Sequence, residues 1–274
     1  MSSDPQDIET IERRSAAVAS VREVVHAIWS LARSELPLAE ASAREARSYV
    51  EWIDRTLSRL TLPADAGPAR DVVHLVIGPE RSYSGALPIR TARALPPTGA
   101  LGLVGARFTE VALRDPEVAD RVLFSLPGAS AIGDVDTVGR SVAAALLRHA
   151  AERSVVLHHM ANASGQLHAQ RLVFRRGALL DFPPDTFSPP EEVADAVLVE
   201  AVSGELIAAV AESLCSEISA RMLAAERAKL ACDRRLDELA QNWRTARQER
   251  ITSELLEAVA GAQALRSASP PPNQ

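Results

Sequence analysis

Aromatic residues are scarce in this chain, at 4% of 274 positions. A platform that stacks nucleic-acid bases needs several exposed rings, so the composition argues against that mode of binding. Cysteine is scarcer still, with two residues. Cys215 and Cys232 fall on one expected helix, about 25 Å apart at helical rise and beyond disulfide reach. They read as two small residues facing a helix seam. An excess of positive charge is also missing. The formal net charge is −6, which argues against a general affinity for nucleic acid and leaves only local basic patches such as Arg234-Arg235. No apolar run approaches the roughly 18 residues of a membrane span, and the N-terminus has no signal-peptide core. The expectation is a cytosolic chain that binds no nucleic acid and reaches membranes only through partners.

What the chain does have is two long helical stripes. From about Gly204 to Leu265, apolar residues recur at alternating steps of three and four, from Ile207, Val210, Leu214 and Ile218 through Leu239, Trp243 and Ala246 to Ile251, Leu255 and Val259. That spacing lines one side of a helix of about sixty residues, roughly 90 Å long. The first sixty residues carry a matching stripe through Ile8, Ile11, Val18, Val21, Val25, Ile28, Ala32, Leu36, Ala39, Val50, Ile53 and Leu60, with a wider gap at Ser15. Asp4 and Pro5 supply a cap and a first helical residue, and Asp7 puts a carboxylate in the first turn. The stretch from Leu62 to Pro68 stops the helix. Pro37 predicts a kink near Leu36 rather than two helices, because the stripe keeps its phase across it. Each stripe needs burial and the other is its nearest partner, so the two are expected to wind together antiparallel as a coiled coil. Many seam positions are alanine, which permits close approach but buries little area per turn.

Between the stripes the pattern changes. Asp71 to Ile77, Ala100 to Val104 and Ser154 to Met160 are short apolar runs of the kind that form buried parallel strands, and Val122 to Leu126 is a further short one. Residues 135–152 carry Val138, Val142, Ala145, Leu146 and Ala150 at helical spacing. Ala169 to Phe174 and Ala178 to Phe182 read as a closing hairpin around Arg176-Gly177. The fold class is therefore mixed α/β: an antiparallel two-helix coiled coil built from both termini, with a small central Rossmann-like α/β domain. Expected divisions are a helix over 4–62, the α/β domain over 69–182, a C-terminal helical region over 188–266 and a disordered tail over 267–274. Ser188 caps the last region, and Ser203-Gly204 either interrupts its helix or weakens it by about 1 kcal/mol.

An α/β domain invites a search for a catalytic site. Gly78-Pro79-Glu80-Arg81-Ser82-Tyr83-Ser84-Gly85 follows a strand, where phosphate loops occur, but it lacks the Gly-Lys-Ser/Thr ending. Pro79 also removes an amide that would cradle phosphate. Ser84 is not framed as a nucleophile elbow. His158, His159 and His168 imitate a metal cluster, yet adjacent strand residues point to opposite faces, so the first two do not readily share one ion. No catalytic residue, cofactor or metal is expected.

Here the residues carry a resemblance. Ser216-Glu217…Ala220-Arg221-Met222…Ala224 resembles the Ser-Glu-x-x-Ala-Arg-Met-x-Ala segment of the gamma subunits of F-type ATP synthases. The stretch Ala246-Arg247-Gln248…Ile251-Thr252…Glu254-Leu255…Glu257…Val259…Gly261-Ala262…Ala264-Leu265 resembles that family's terminal signature almost position for position. After the first strand the family usually shows Ser-x-Asp-Arg-Gly-Leu-Cys-Gly-Gly. Here the acid–arginine pair survives, as Glu80-Arg81, while the glycines and cysteine are mostly lost, and this divergence is similar to the gamma subunits of the alternative bacterial F-type ATPases. The resemblance implies a non-catalytic rotor. Its coiled coil would turn inside a hexamer of alpha and beta subunits, and its α/β foot would rest on the membrane c-ring beside epsilon, at the cytoplasmic side of the bacterial inner membrane. It implies further that Arg221, Arg247, Gln248, Thr252 and Glu254 touch the beta subunits and couple rotation to catalysis, with Glu80 and Arg81 in the foot turn. The alternatives are a coiled-coil adaptor or scaffold with a non-catalytic α/β domain, and a small-molecule-binding α/β domain with helical arms.

Overall fold

The computed structural model describes residues 5–63, 71–150, 153–160, 166–173, 176–181 and 183–268. They fall into two units, residues 29–224 and residues 1–28 with 225–274. The helices are α1 (Pro5–Leu57), α2 (Leu87–Arg93), α3 (Ala106–Ala112), α4 (Pro116–Ala119), α5 (Val135–Ala150) and α6 (Pro190–Ala268). The strands are β1 (Val72–Ile77), β2 (Ala100–Val104), β3 (Val122–Leu126), β4 (Ser154–Met160) and β5 (Leu167–Leu172). Asp4 and residues 64–68 of the expected stop, with 269–274 of the expected tail, lie outside the described residues, whereas Ser267 and Ala268 of that expected tail are the last residues of α6.

The unit of residues 29–224 is organised by a sheet in the order β3-β2-β1-β4-β5. The first four strands are parallel and β5 runs antiparallel to β4. Strand alternation sends Val73, Leu75 and Ile77 of β1, with Val155 and Leu157 of β4, to one face. There they pack with Ala32 and Ala39 of α1, Val142 and Leu146 of α5, and Leu206, Val210 and Leu214 of α6. The opposite face carries Val76, Leu101 and Leu103, covered by Phe108 and Ala112 of α3. Layers on both faces of a parallel sheet satisfy its continuous apolar strands.

Within this unit α6 departs from a one-sided stripe. Between Ser203 and Arg221 nearly every residue is buried, including Ser213, Ser216 and Ser219. A helix buried all round belongs inside a core, and serines allow neighbouring backbones to come close. The helix runs through Ser203-Gly204, where the Ser203 hydroxyl donates to the Val199 carbonyl at 2.8 Å. Among the described residues the expected hairpin around Arg176-Gly177 is not formed. The strand there is β5, which pairs backwards with β4, while Leu179 bridges to Thr61. Phe174 and Phe182 of that expectation lie outside the described residues.

In the unit of residues 1–28 and 225–274, α1 and α6 pair antiparallel. Glu12 accepts a hydrogen bond from the Trp243 indole at 2.9 Å, and ten residues further along α1 Arg22 pairs with Asp233. The inward face passes through Ser15 and Arg22, which leaves Val21 54% exposed. The seam is thus partly ionic where the apolar pattern places valine. Towards the end of α6, Ile251 and Leu255 are 54% and 63% exposed. In this antiparallel register Pro5 of α1 falls opposite the Arg250 region, so the stripe beyond it has no partner helix among the described residues.

Candidate functional site

The turn after β1 is held by two carboxylates. Glu80 accepts from the backbone amides of Ala106 at 2.7 Å and Gly128 at 2.6 Å, tying the ends of β2 and β3 to that of β1. The amides of Glu80 and Arg81 donate in turn to Glu217 of α6, at 2.7 and 3.0 Å. Glu217 is 2% exposed and pairs with Arg221 one turn later, itself 6% exposed. Burial pushes the Glu217 carboxyl above its usual range, while the amides and Arg221 oppose that shift. The Arg81 side chain is exposed. Tyr83 takes a positive φ of 70° in the turn, a strained conformation for a residue with a bulky side chain.

The seven expected residues divide into two sets. Glu80, Arg81 and Arg221 surround Glu217. The sequence marked Glu217 as part of a motif but not as the group that joins the others. Its signal is an acid and a base four residues apart within an apolar segment, a spacing that stacks them on one helix face. Arg221 faces inward, and its Nε has no hydrogen-bond partner among the described residues. Arg247, Gln248, Thr252 and Glu254 form the second set. All four are exposed. At 100° per residue Arg247, Gln248 and Thr252, together with Ile251 and Leu255, lie on the side of α6 opposite Ala246, and Glu254 falls about 80° from Ala246 at the edge of that side. The Arg247 guanidinium lies 5.2 Å from the Trp243 ring centroid, the Thr252 hydroxyl donates to the Gln248 carbonyl at 2.9 Å, and Glu254 pairs with Arg250 at 2.8 Å. Local contacts hold the Arg247, Thr252 and Glu254 side chains, and all four residues remain exposed.

Two further polar clusters lie in the unit of residues 29–224. Arg47 of α1 reaches Glu205 at 2.8 Å and Glu212 at 2.9 Å, and Glu212 lies 3.1 Å from the buried His159. Burial pushes the Glu212 carboxyl up, but His159 and Arg47 outweigh it and hold the group below its ordinary value. On the other face His74 Nδ1 meets His158 Nε2 at 3.0 Å. Burial, with the neighbouring His74 and His159, brings the His158 pKa down to about 4. His158 and His159 therefore serve opposite faces, as alternation requires, and His168 stacks edge-on with His159. Among the described residues no three potential ligands gather around a point. A cavity of about 730 Å³ lies beside Asp54, Arg171, Arg176 and Glu205, and none of the seven expected residues lines it.

A family model described as ATP synthase matches residues 7–265. The ATP synthase gamma chain of Gluconobacter oxydans is 24% identical, with 94% of this chain and 99% of that protein aligned. That of Anaeromyxobacter sp. strain K is 27% identical over the same shares. Among solved structures, a chain of the Euglena gracilis mitochondrial ATP synthase (OSCP/F1/c-ring) has the same fold, with a TM-score of 0.71 at 14% identity over 99% of both chains. A chain from the central stalk and c-ring of the Tetrahymena thermophila mitochondrial enzyme gives 0.56 at 15% identity, covering 75% of this chain and 99% of that one. The chain belongs to the ATP synthase family, and the relatives that align with nearly its whole length are gamma chains.

Proposed function

We propose that this chain is the central-stalk rotor subunit of an F-type ATP synthase, coupling ion flow through the membrane sector to catalysis in the beta subunits. The observation that carries the reading is end-to-end alignment with gamma chains, over 94% of this sequence and 99% of theirs. The antiparallel helix pairing within each unit fits a part that must resist twisting. In this reading residues 4–62 and 188–266 provide the shaft and residues 69–182 the foot. Arg247, Gln248, Thr252 and Glu254 press on the beta subunits, and the small exposed residues Ala258, Ala260, Gly261, Ala262 and Ala264 let the end of α6 turn in a tight bearing. Arg221, being buried, acts at one remove through Glu217. Glu80 and Arg81 belong to the foot, whose partners are the c-ring and the epsilon subunit. The solved relatives come from assemblies named for F1, rotor, central stalk and c-ring, which supports alpha and beta subunits and the c-ring as partners.

No described helix is long and apolar enough to cross a membrane, so attachment to the cytoplasmic side of a bacterial inner membrane runs through those partners. Purifying the tagged chain from its own cells tests the rotor reading, which requires alpha and beta subunits to follow it. A homodimer free of them supports the adaptor alternative instead. The coupling contacts are tested by Arg247→Ala with Gln248→Ala in the assembled complex. If the pair contributes about 1 kcal/mol to the rate-limiting step, ATP hydrolysis falls about fivefold. Unchanged turnover in a fully assembled complex refutes the contact assignment.

A further inference from the structure

In the order β3-β2-β1-β4-β5, the chain leaves β1 towards β2 on one side, while β4 lies on the other. The carboxyl ends of β1 and β4 therefore flank the point where the order reverses. Open α/β sheets bind ligands at such points, because the loops part there and leave backbone amides facing a crevice. In this chain α6 lies across that crevice. The Met160 amide at the end of β4 donates to the Ser213 hydroxyl at 3.3 Å, and the Ser216 hydroxyl donates back to the Met160 carbonyl at 3.3 Å. One turn on, Glu217 meets the amides of Glu80 and Arg81 at the end of β1, with Oε2 on the first and Oε1 on the second. Arg221 adds a guanidinium donor to Oε1. Each carboxylate oxygen is thus met by donors, as a bound anion would be.

We propose that Glu217 is a tethered anion ligand: its carboxylate fills, from within the chain, the anion site that the β1 turn and Arg221 would otherwise offer to a free carboxylate. This accounts for a Rossmann-like turn that keeps its amide donors while lacking a phosphate-loop sequence. Two further polar groups stand at the same turn without a hydrogen-bond partner among the described residues, the buried Ser84 hydroxyl and the Arg221 Nε. Removing the carboxylate leaves two amides and a buried guanidinium around a vacated space of carboxylate size. The inference stands on the geometry of this unit and makes no use of the rotor reading, so either can fail without the other.

The test is chemical rescue of the full chain at pH 7. Glu217→Ala lowers the Tm by roughly 10 °C in sodium chloride. Replacing chloride by formate at the same ionic strength raises it again by about 3 °C or more, along a saturating curve. The unaltered chain and Glu217→Gln, whose side chain still fills the space, show no preference for formate. Formate that stabilises all three equally, or none, overturns the proposal. If Glu217→Ala does not fold in chloride, formate-dependent recovery of its helical signal on refolding replaces the Tm, and absence of recovery overturns it. Hydrogen exchange on Glu217→Gln gives a second reading. At least one of the Glu80 and Arg81 amides exchanges about tenfold faster or more while that of Leu157 does not, because an amide side chain accepts through only one of its two ends. Unchanged protection of both amides also counts against it.

Discussion

Replacing Arg47 by methionine keeps an unbranched apolar stem and removes the guanidinium with its charge. The guanidinium bridges Glu205 and Glu212 with hydrogen bonds of 2.8, 2.9 and 3.0 Å. The two acids are 12% and 16% exposed, whereas Arg47 is 32% exposed. Breaking a fully buried ion pair costs about 3–5 kcal/mol, and partial exposure of Arg47 lowers that to about 2–3 kcal/mol. Asp54, whose carboxyl is already pushed up by burial and by Glu205, adds to the repulsion left behind. Urea unfolding of the full chain followed by circular dichroism at pH 7 measures the loss. The pH dependence supplies the sharper check. In the unaltered chain the depressed Glu212 contributes stability that is present above its unfolded pKa and is lost as pH falls through its folded pKa. In the variant the acids lose their cation and gain from protonation, so the difference between the two proteins shrinks towards pH 4.5. Adding Glu205→Gln recovers about 1 kcal/mol at pH 7, since one uncompensated charge is removed. A cost below about 0.5 kcal/mol, or a cost as large at pH 4.5 as at pH 7, refutes the view that Arg47 is the electrostatic tie between α1 and α6.

Two other perturbations probe the same unit. A Cβ at Gly139 of α5 would lie 2.5 Å from Ile207 Cγ1 and 2.9 Å from Ile207 Cα, so Gly139→Ala costs about 2 kcal/mol or more through overpacking. Because backbone is part of the clash, adding Ile207→Ala does not restore stability; a full rescue seen by thermal unfolding would contradict the close α5–α6 approach. His158, with its pKa near 4 against the usual 6.5, refuses a proton that the unfolded chain accepts. Stability is complete above the unfolded value and declines as pH falls towards 4, by about 1–2 kcal/mol once the screening of a half-exposed ring is allowed for. His158→Gln flattens this part of the profile, and an identical pH slope in the variant would exclude His158 as its source.

Patterns set by near neighbours along the chain were legible before any coordinates. The apolar rhythm on either side of Pro37 belongs to one helix, α1, and the short apolar runs are β1, β2, β3 and β4. Period-two alternation placed His158 and His159 on opposite faces. The short helices α2, α3 and α4 were not read from sequence, being seven or fewer residues each and too brief for a helical period.

Other features needed the tertiary structure. Residues 178–182 had the apolar look of a strand that pairs back on 169–174 as a hairpin, but pairing is a choice among distant partners, and Leu179 bridges to Thr61 instead. The stripe on α6 promised one buried side, yet Ser203 to Arg221 is enclosed by the sheet as well as by α1, while Ile251 and Leu255 remain exposed. Both outcomes depend on where a partner element lies, which no local period encodes. The role of Glu217 is the clearest instance. Its type and its spacing from Arg221 are written in the chain, but the amides it binds come from a turn 136 and 137 residues away. The sequence by itself determined which segments coil, extend and turn, because those preferences are settled between neighbouring residues. Only the folded arrangement decided which carboxylate meets which amides, because a hydrogen bond forms wherever the sheet and helices bring donor and acceptor within about 3 Å.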